Sequence, residues 1–411
     1  MADKKKVSTL AVRAGEDGDW GANTGVPPIY QTSIFHFNSV AELREYAEGR
    51  GSNYLYTRYG NPTLSVVERK LAELEGCQSA MVFASGMGAM AAAILGLVQS
   101  GDNIVASQNL YGGTFGLLKR MLARFKVDVR FFPATNIAAA DALIDPQTRL
   151  LIVESPTNPG LEIVDLAAAA ALANRRGVVP LVDNTFASPI NQSPAELGFR
   201  VIMHSATKFL GGHSDVTAGF LAGDGEMIES LRQTARWLGS TLDPSAAYLL
   251  MRGMKTLDVR VQRQNANAQK VAEFLDRHSR VEQALYPGLP SHPQHALARK
   301  QMRGFGGLVA LKVKGGQAAA ERFLDRLRLF PISVSLGGVD SIATTPLYTS
   351  HYGFSDEELK AAGISRNMVR LSIGIEDAAD LIADLEQALS ERRVTRRAIA
   401  AQESPVAGRQ G

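Results

Sequence analysis

The chain holds a single cysteine, Cys77, in 411 residues. One thiol can form no intramolecular disulfide and offers no second thiolate for a cysteine-based metal site, so no metal is expected and a reducing compartment fits. No apolar run approaches the length of a membrane span. Lys4, Lys5 and Lys6 start as a signal peptide would, but Arg13 and the acids after it cut the apolar stretch short. A cytoplasmic location is therefore expected. Charge of one sign is also scarce, with a net +3 that owes much to Arg392, Arg393, Arg396 and Arg397. Such a balance argues against a nucleic-acid or membrane partner. Internal repeats are missing, and the only biased runs are short alanine stretches of ordinary helix type. What is present is the composition of a folded chain: 45% hydrophobic and 21% charged residues, over a length sufficient for two or three domains.

Residues 1–60 carry few periodic signals and many loop formers. They read as an arm that lies on a neighbouring subunit, ending in the aromatic, basic and turn-forming run Tyr54 to Thr63. Thr63 is expected to cap the helix that follows, with Leu64, Val67, Leu71 and Leu74 on one face and Gly76 as its stop. Residues 61–255 then alternate strands with helices. Strands are expected at Met81 to Ala84, Ile104 to Ala106, Val127 to Phe132, Leu150 to Val153, Val178 to Val182 and Val201 to Met203. This order predicts an α/β fold with a mostly parallel sheet covered on both faces. Each strand is followed directly by a polar cluster, so these clusters gather on one sheet edge. Residues 256–393 read as a smaller α+β domain with strands at Leu308 to Val313 and Met368 to Ile373, and a mobile loop at Tyr286 to Pro290. A last helix begins near Glu376 and Asp377, and 394–411 read as a frayed tail.

The chemistry centres on Lys208, held just past a buried strand by His204-Ser205-Ala206-Thr207 and followed by Gly211 and Gly212. Alone, such a lysine is most simply a loop residue in water. A catalytic lysine usually forms a Schiff base, and it needs partners. Asp183 ends its own strand twenty-five residues earlier, where a carboxylate either caps a loop or holds the protonated nitrogen of a pyridine ring. Ser85-Gly86-Met87-Gly88 between strand and helix is either a plain tight turn or a phosphate cradle of backbone N–H groups. It lacks the ending of a nucleotide P-loop and the spacing of a dinucleotide fingerprint, which speaks against an NAD-type oxidoreductase. Ser205 and Thr207 offer hydroxyls to the same phosphate, and Tyr56 and Arg58 a phenol and a forked guanidinium. Tyr111, before Gly112 and Gly113, either packs in a turn or stacks on a planar ring and donates a proton. Arg370, a charge amid strand residues, requires an anion, whether a substrate carboxylate or an acid of the core.

Together these motifs resemble the Cys/Met-metabolism pyridoxal-phosphate enzymes of fold type I. That group includes cystathionine γ-synthase, cystathionine γ-lyase, methionine γ-lyase and the O-acylhomoserine sulfhydrylases. The resemblance runs from about Thr9 to Ser390 and also takes in Pro156-Thr157-Asn158-Pro159, Val182-Asp183-Asn184-Thr185, Tyr286 to Pro290, Ser335-Leu336-Gly337-Gly338 and Arg370-Leu371-Ser372. It implies an aspartate-aminotransferase-like transferase fold with pyridoxal 5'-phosphate as cofactor. In that frame Lys208 would carry the cofactor as a Schiff base and move the substrate proton, and Asp183 would hold the pyridinium. Ser85, Gly86, Met87, Ser205 and Thr207 would bind the phosphate, with Tyr56 and Arg58 reaching it from a partner subunit. Tyr111 would stack on the ring and act as an acid, while Asn158, Ser335 and Arg370 would orient cofactor and substrate carboxylate. The resemblance further implies an amino-acid substrate, γ-replacement or γ-elimination, and a tetramer built from dimers. Methionine γ-lyases typically have cysteine where this chain has Gly113, and cystathionine γ-lyases have acids where it has Leu55 and Val334. Those three positions are therefore expected to set specificity. Pro346 to His351 also departs from the commoner Met-Thr-His form. A non-catalytic cofactor-binding protein on the same fold is the alternative of another class.

Overall fold

The computed structural model describes residues 5–18, 23–51 and 53–390. Seven strands make the large sheet: β1 (Ser79–Phe83), β2 (Asn103–Ser107), β3 (Asp128–Phe132), β4 (Thr148–Glu154), β5 (Val179–Asp183), β6 (Val201–His204) and β7 (Gly219–Gly223). Their spatial order is β1-β7-β6-β5-β4-β2-β3. Only β7 runs against its neighbours, antiparallel to both β1 and β6, so β1 to β6 share one direction. Their carboxyl ends accordingly form one edge, which is where Ser85, Glu154, Asp183 and Ser205 stand.

Successive residues of these strands alternate between two packed faces, as strand geometry requires. Leu150, Ile152 and Leu181 meet the helix Gly86–Leu97 on one side, while Leu151, Val153 and Val182 meet the helix Leu166–Arg175 on the other. Burial on both sides explains the near-continuous apolar runs. Sequence patterning does not reveal β7, because its two ends are glycine. Those glycines are a packing requirement: a Cβ at Gly219 would stand 2.3 Å from the Ser85 carbonyl oxygen, and one at Gly223 would stand 2.1 Å from that of Arg200.

The helix Pro62–Glu75 presents Leu64, Val67, Leu71 and Leu74 to the core and stops at Gly76, whose φ of 70° is left-handed. Its cap is Asn61, not Thr63: Asn61 Oδ1 accepts the Thr63 N–H at 2.9 Å, with Pro62 opening the first turn. The Thr63 hydroxyl instead accepts the Tyr30 N–H. The first sixty residues are not without structure of their own. A helix at Val7–Arg13 buries Ala11 in the same core, and a second at Val40–Ala47 buries nothing.

The second sheet is antiparallel in the order β10-β11-β9-β8, built from β8 (Val281–Leu285), β9 (Leu308–Val313), β10 (Ile342–Thr344) and β11 (Met368–Ser372). Sequence patterning finds β9 and β11 but not β8 or β10. The former carries exposed Glu282 and Gln283, and the latter has three residues. Tyr286 to Pro290 is not a mobile loop. Tyr286 is fully buried, and its hydroxyl donates to the Gly306 carbonyl at 3.0 Å. The last helix, Ala378–Leu389, is capped by Asp377 and buries Leu381, Leu385 and Leu389. The frayed tail expected for 394–411 lies outside the described residues. Among the described residues no helix is long and apolar enough to cross a membrane.

Candidate active site

Beyond β6 the chain folds into a tight turn in which the Lys208 N–H bonds the Ser205 carbonyl and the Gly212 N–H bonds that of Lys208. Gly212 must lack a side chain there, because its φ is 72° and a Cβ would meet the Arg260 guanidinium at 2.0 Å. The turn aims the lysine amine at the Ser335 hydroxyl, 2.6 Å away. Burial, and then the charge of Arg370, pushes the amine down to about 8. Arg370 itself lies buried in β11. Its Nη1 donates to Asn158 Oδ1 at 2.8 Å and its Nη2 to the Ser335 carbonyl at 2.9 Å. Its Nε is buried without a partner. Two cations and an unmet N–H in one hollow fit an anionic ligand.

Asp183 ends β5 and is buried. Its Oδ1 accepts both the N–H (3.0 Å) and the hydroxyl of Thr185, leaving its second oxygen for another N–H donor. Burial raises its pKa, against the Thr185 hydrogen bonds and the charge of His204. The same Thr185 hydroxyl accepts the Ser205 N–H at 2.9 Å, tying the Asp183 turn to the Lys208 turn.

Ser85 caps the helix Gly86–Leu97 by accepting the Gly88 N–H at 3.0 Å. The first N–H groups of that helix, including those of Gly86 and Met87, have no intrahelical acceptor and face the sheet edge. Gly86 lies against Ser205, where a Cβ would come within 2.9 Å of the serine's own. A small anion fits this cradle. The Thr207 hydroxyl is engaged differently, donating to the Ala218 carbonyl and accepting its N–H.

Tyr111 is 43% exposed and turns its ring over Gly113, where a Cβ would lie 2.5 Å from the ring and 3.1 Å from the Met87 sulfur. Its own N–H donates to Glu154 at 2.7 Å. Gly112 is covered by the loop of the second sheet, since a Cβ there would meet the Ser350 carbonyl oxygen at 1.9 Å. The departing segment Pro346 to His351 thus packs on the tyrosine's turn. Within it His351 is buried, bonded to the Ser350 hydroxyl at 2.8 Å, and held down to about 4 by burial and by Arg370.

Lys208, Asp183, Ser205, Asn158, Ser335 and Arg370 are therefore brought together, with Tyr111 and the Ser85-Gly86-Met87 turn beside them. Tyr56 and Arg58 are not. They sit in an open surface cavity with Ser33, Thr241 and Leu242, and Arg58 bonds the Arg236 carbonyl and stacks on Tyr59. Leu55 is half-buried in the same arm, and Val334 is 64% exposed. Sequence reasoning gave no role to Glu154, Thr185 or the buried contact of His204 with Glu75. Thr185, two residues after Asp183, was the one with a local signal, since hydroxyls at that spacing commonly bond back to the chain.

A buried lysine past the carboxyl edge of a mostly parallel sheet, with an aspartate and an anion cradle on that edge and a free arginine N–H in the lysine's hollow, is the arrangement a pyridoxal-phosphate-dependent enzyme of fold type I requires. The chain belongs to the family of Cys/Met metabolism PLP-dependent enzymes, whose model matches residues 8–390. It is 43% identical over 395 residues to the L-methionine gamma-lyase of Pseudomonas deceptionensis, covering 95% of this chain and 99% of that one. It is 41% identical to cystathionine gamma-synthase 1, chloroplastic, of Arabidopsis thaliana, over 93% of this chain and 68% of the relative. The O-succinylhomoserine sulfhydrylase of Pseudomonas aeruginosa is 39% identical over 93% of this chain and 94% of its own. The crystal structure of metB from Corynebacterium glutamicum superposes with a TM-score of 0.87 at 39% identity, covering 94% of this chain and 98% of that one. The protein is thus a PLP-dependent enzyme of the trans-sulfuration group.

Proposed function

We propose that the enzyme catalyses γ-replacement or γ-elimination on an amino acid bearing its leaving group at Cγ, favouring substrates with no ammonium at the distal end. The observation carrying this reading is the unpartnered Nε of Arg370 in the hollow that holds Lys208. It suits a substrate carboxylate, placing the substrate's Cα beside the lysine. The cofactor would supply an electron sink for carbanions at Cα and Cβ. Lys208 would hold it, then take the Cα proton as a neutral amine, a state its lowered pKa makes accessible. The free oxygen of Asp183 suits the ring N–H. The N–H groups of Gly86 and Met87, with the Ser205 hydroxyl, suit the phosphate, whereas Thr207 would first have to turn its hydroxyl from Ala218. Tyr111 would cover the ring and protonate the leaving group, a role that its exposed ring over Gly113 supports.

Leu55 and Val334 offer nothing to a distal ammonium, which favours acylated homoserines or simple thioethers over cystathionine. Gly113 leaves no room for the cysteine of methionine γ-lyases while Tyr111 lies over it, although methionine γ-lyases are among the similar sequences. The exposed Tyr56 and Arg58, and a helix at Val40–Ala47 that buries nothing, support an arm at 1–60 reaching a second copy, in a cytoplasmic dimer-based tetramer. A large domain at 61–255 and a smaller one at 256–393 belong to the same proposal. A panel of cystathionine, methionine, homocysteine, O-acetylhomoserine and O-succinylhomoserine, with cysteine or sulfide as acceptor, tests it by scoring thioether against 2-oxobutanoate. Cystathionine as the best substrate would overturn the distal preference, and no turnover of any member would overturn the reaction class.

A further inference from the structure

Glu154 is a buried carboxyl that none of these steps uses. It ends β4 where Asp183 ends β5, and the two are register partners in the parallel ladder. Register partners on adjacent strands point to the same face, with backbones about 5 Å apart. Both are buried, Glu154 to 3% exposure. Two carboxylates so placed in a dry site do not both ionise at neutral pH; one keeps a proton.

The groups facing each side decide which one keeps it. Asp183 receives the Thr185 N–H and hydroxyl, feels the charge of His204, and has a free oxygen for a ring N–H. Glu154 receives the Tyr111 N–H on Oε2 and an N–H from Asn158, and feels Arg370 in its favour and Asp183 against it. Burial and then the Asp183 charge push Glu154 well above the carboxylate range. A pyridinium on Asp183 would fix that anion and deepen the asymmetry.

We infer that Glu154 is a positioning residue that carries the shared proton of the Glu154–Asp183 pair while its Oε2 anchors the Tyr111 backbone, leaving Asp183 as the ionised partner of the cofactor ring. The inference rests on the assignment of Lys208 and Asp183 to the cofactor. No proton is lost or gained: it stays on Oε1 of Glu154, the oxygen that Tyr111 does not use. A neutral amide at this position would then reproduce the working state, whereas an ionised Glu154 would not.

The test is the infrared difference spectrum at neutral pH of unlabelled holoenzyme minus holoenzyme labelled with ¹³C-glutamate or, separately, with ¹³C-aspartate. A protonated-carboxyl band that shifts with ¹³C-glutamate and not with ¹³C-aspartate is expected. The Glu154→Gln enzyme should lack that band, keep the cofactor's visible absorbance, and retain kcat/KM within about threefold. Glu154→Ala, which frees the Tyr111 turn, should raise KM by at least about tenfold with the absorbance kept. A band that follows ¹³C-aspartate, or no band, overturns the inference even if Glu154→Gln fails to fold. So does a Glu154→Gln enzyme that binds cofactor but is as damaged as the alanine variant. Absence of the visible band from the wild type would instead remove the cofactor assignment.

Discussion

The amine of Lys208 donates to the hydroxyl of Ser335, 2.6 Å away and 127 positions further along the chain. Ser335 holds a φ of 77°, a left-handed conformation that costs a non-glycine residue roughly 1–3 kcal/mol. Its carbonyl is gripped by Arg370, and nearby the Gly337 N–H bonds the Ser372 hydroxyl. The second sheet thus holds the reactive lysine of the first. Lys208→Ala should abolish both turnover and the cofactor's visible absorbance. Ser335→Ala should keep the absorbance and lose about tenfold in kcat/KM, the equivalent of one hydrogen bond of about 1.4 kcal/mol. Steady-state activity in Lys208→Ala would refute the lysine's role.

The same amine sets a pH dependence. Burial first and Arg370 second bring it down from 10.5 to about 8. A lowered lysine pKa means that the neutral, nucleophilic form appears at lower pH, so capture of added cofactor by the apoprotein should accelerate up to about pH 8 and level off above it. Arg370→Met removes a like charge and should move that midpoint upward. Stopped-flow absorbance against pH measures both. A midpoint unchanged by the substitution would show that burial alone sets the value.

Much of this site was legible because its parts follow strands. Lys208, Asp183 and Arg370 are charges next to or within apolar runs, and such charges need a reason. What could not be read depends on contacts distant in sequence. Glu154 meets Asp183 only through strand register, and the role of β7 depends on glycines that weaken its own strand signal. Asn61 rather than Thr63 caps its helix because Pro62 opens the first turn. Tyr56 and Arg58 stand out as a motif, but their own chain's fold holds them against residues 31–33 and 241–244, away from Lys208.

That separation makes the arm testable. Tyr56 and Arg58 are exposed, and Arg58 donates to the Arg236 carbonyl. If they serve a second copy, inactive Tyr56→Phe and Lys208→Ala subunits should regain part of the wild-type rate when co-assembled, since one site in the hybrid has both groups intact. Hybrids confirmed by mass spectrometry that stay inactive would count against shared sites.

The loop over Tyr111 offers a paired comparison within one short helix, Gly112–Gly116. A methyl at Gly112 meets the Ser350 carbonyl at 1.9 Å, and backbone cannot swing away as a side chain can, whereas a methyl at Gly116 meets nothing within 4 Å. Gly112→Ala should displace the loop and raise KM by at least about tenfold, while Gly116→Ala should act within about twofold. Equal kinetics for the two would mean that the loop does not close on this turn during catalysis.

Behind the lysine turn, His204 and Glu75 form a pair at 2.6 Å, both at or below 1% exposure and 129 residues apart in sequence. The imidazole stacks on Phe220 at 4.6 Å, and Glu75 keeps one oxygen without a partner. Removing one member of a buried pair costs about 3–5 kcal/mol, with Glu75 then keeping only the Asn184 amide at 3.3 Å, whereas replacing both by apolar side chains often costs little. His204→Phe and Glu75→Leu should therefore each lower the urea midpoint of the apoprotein sharply, and the double variant should recover most of the loss. Additive losses would show that the two act separately. Using apoprotein matters, because bound cofactor adds its own stabilisation and would mask a change confined to the helix and strand that carry the pair.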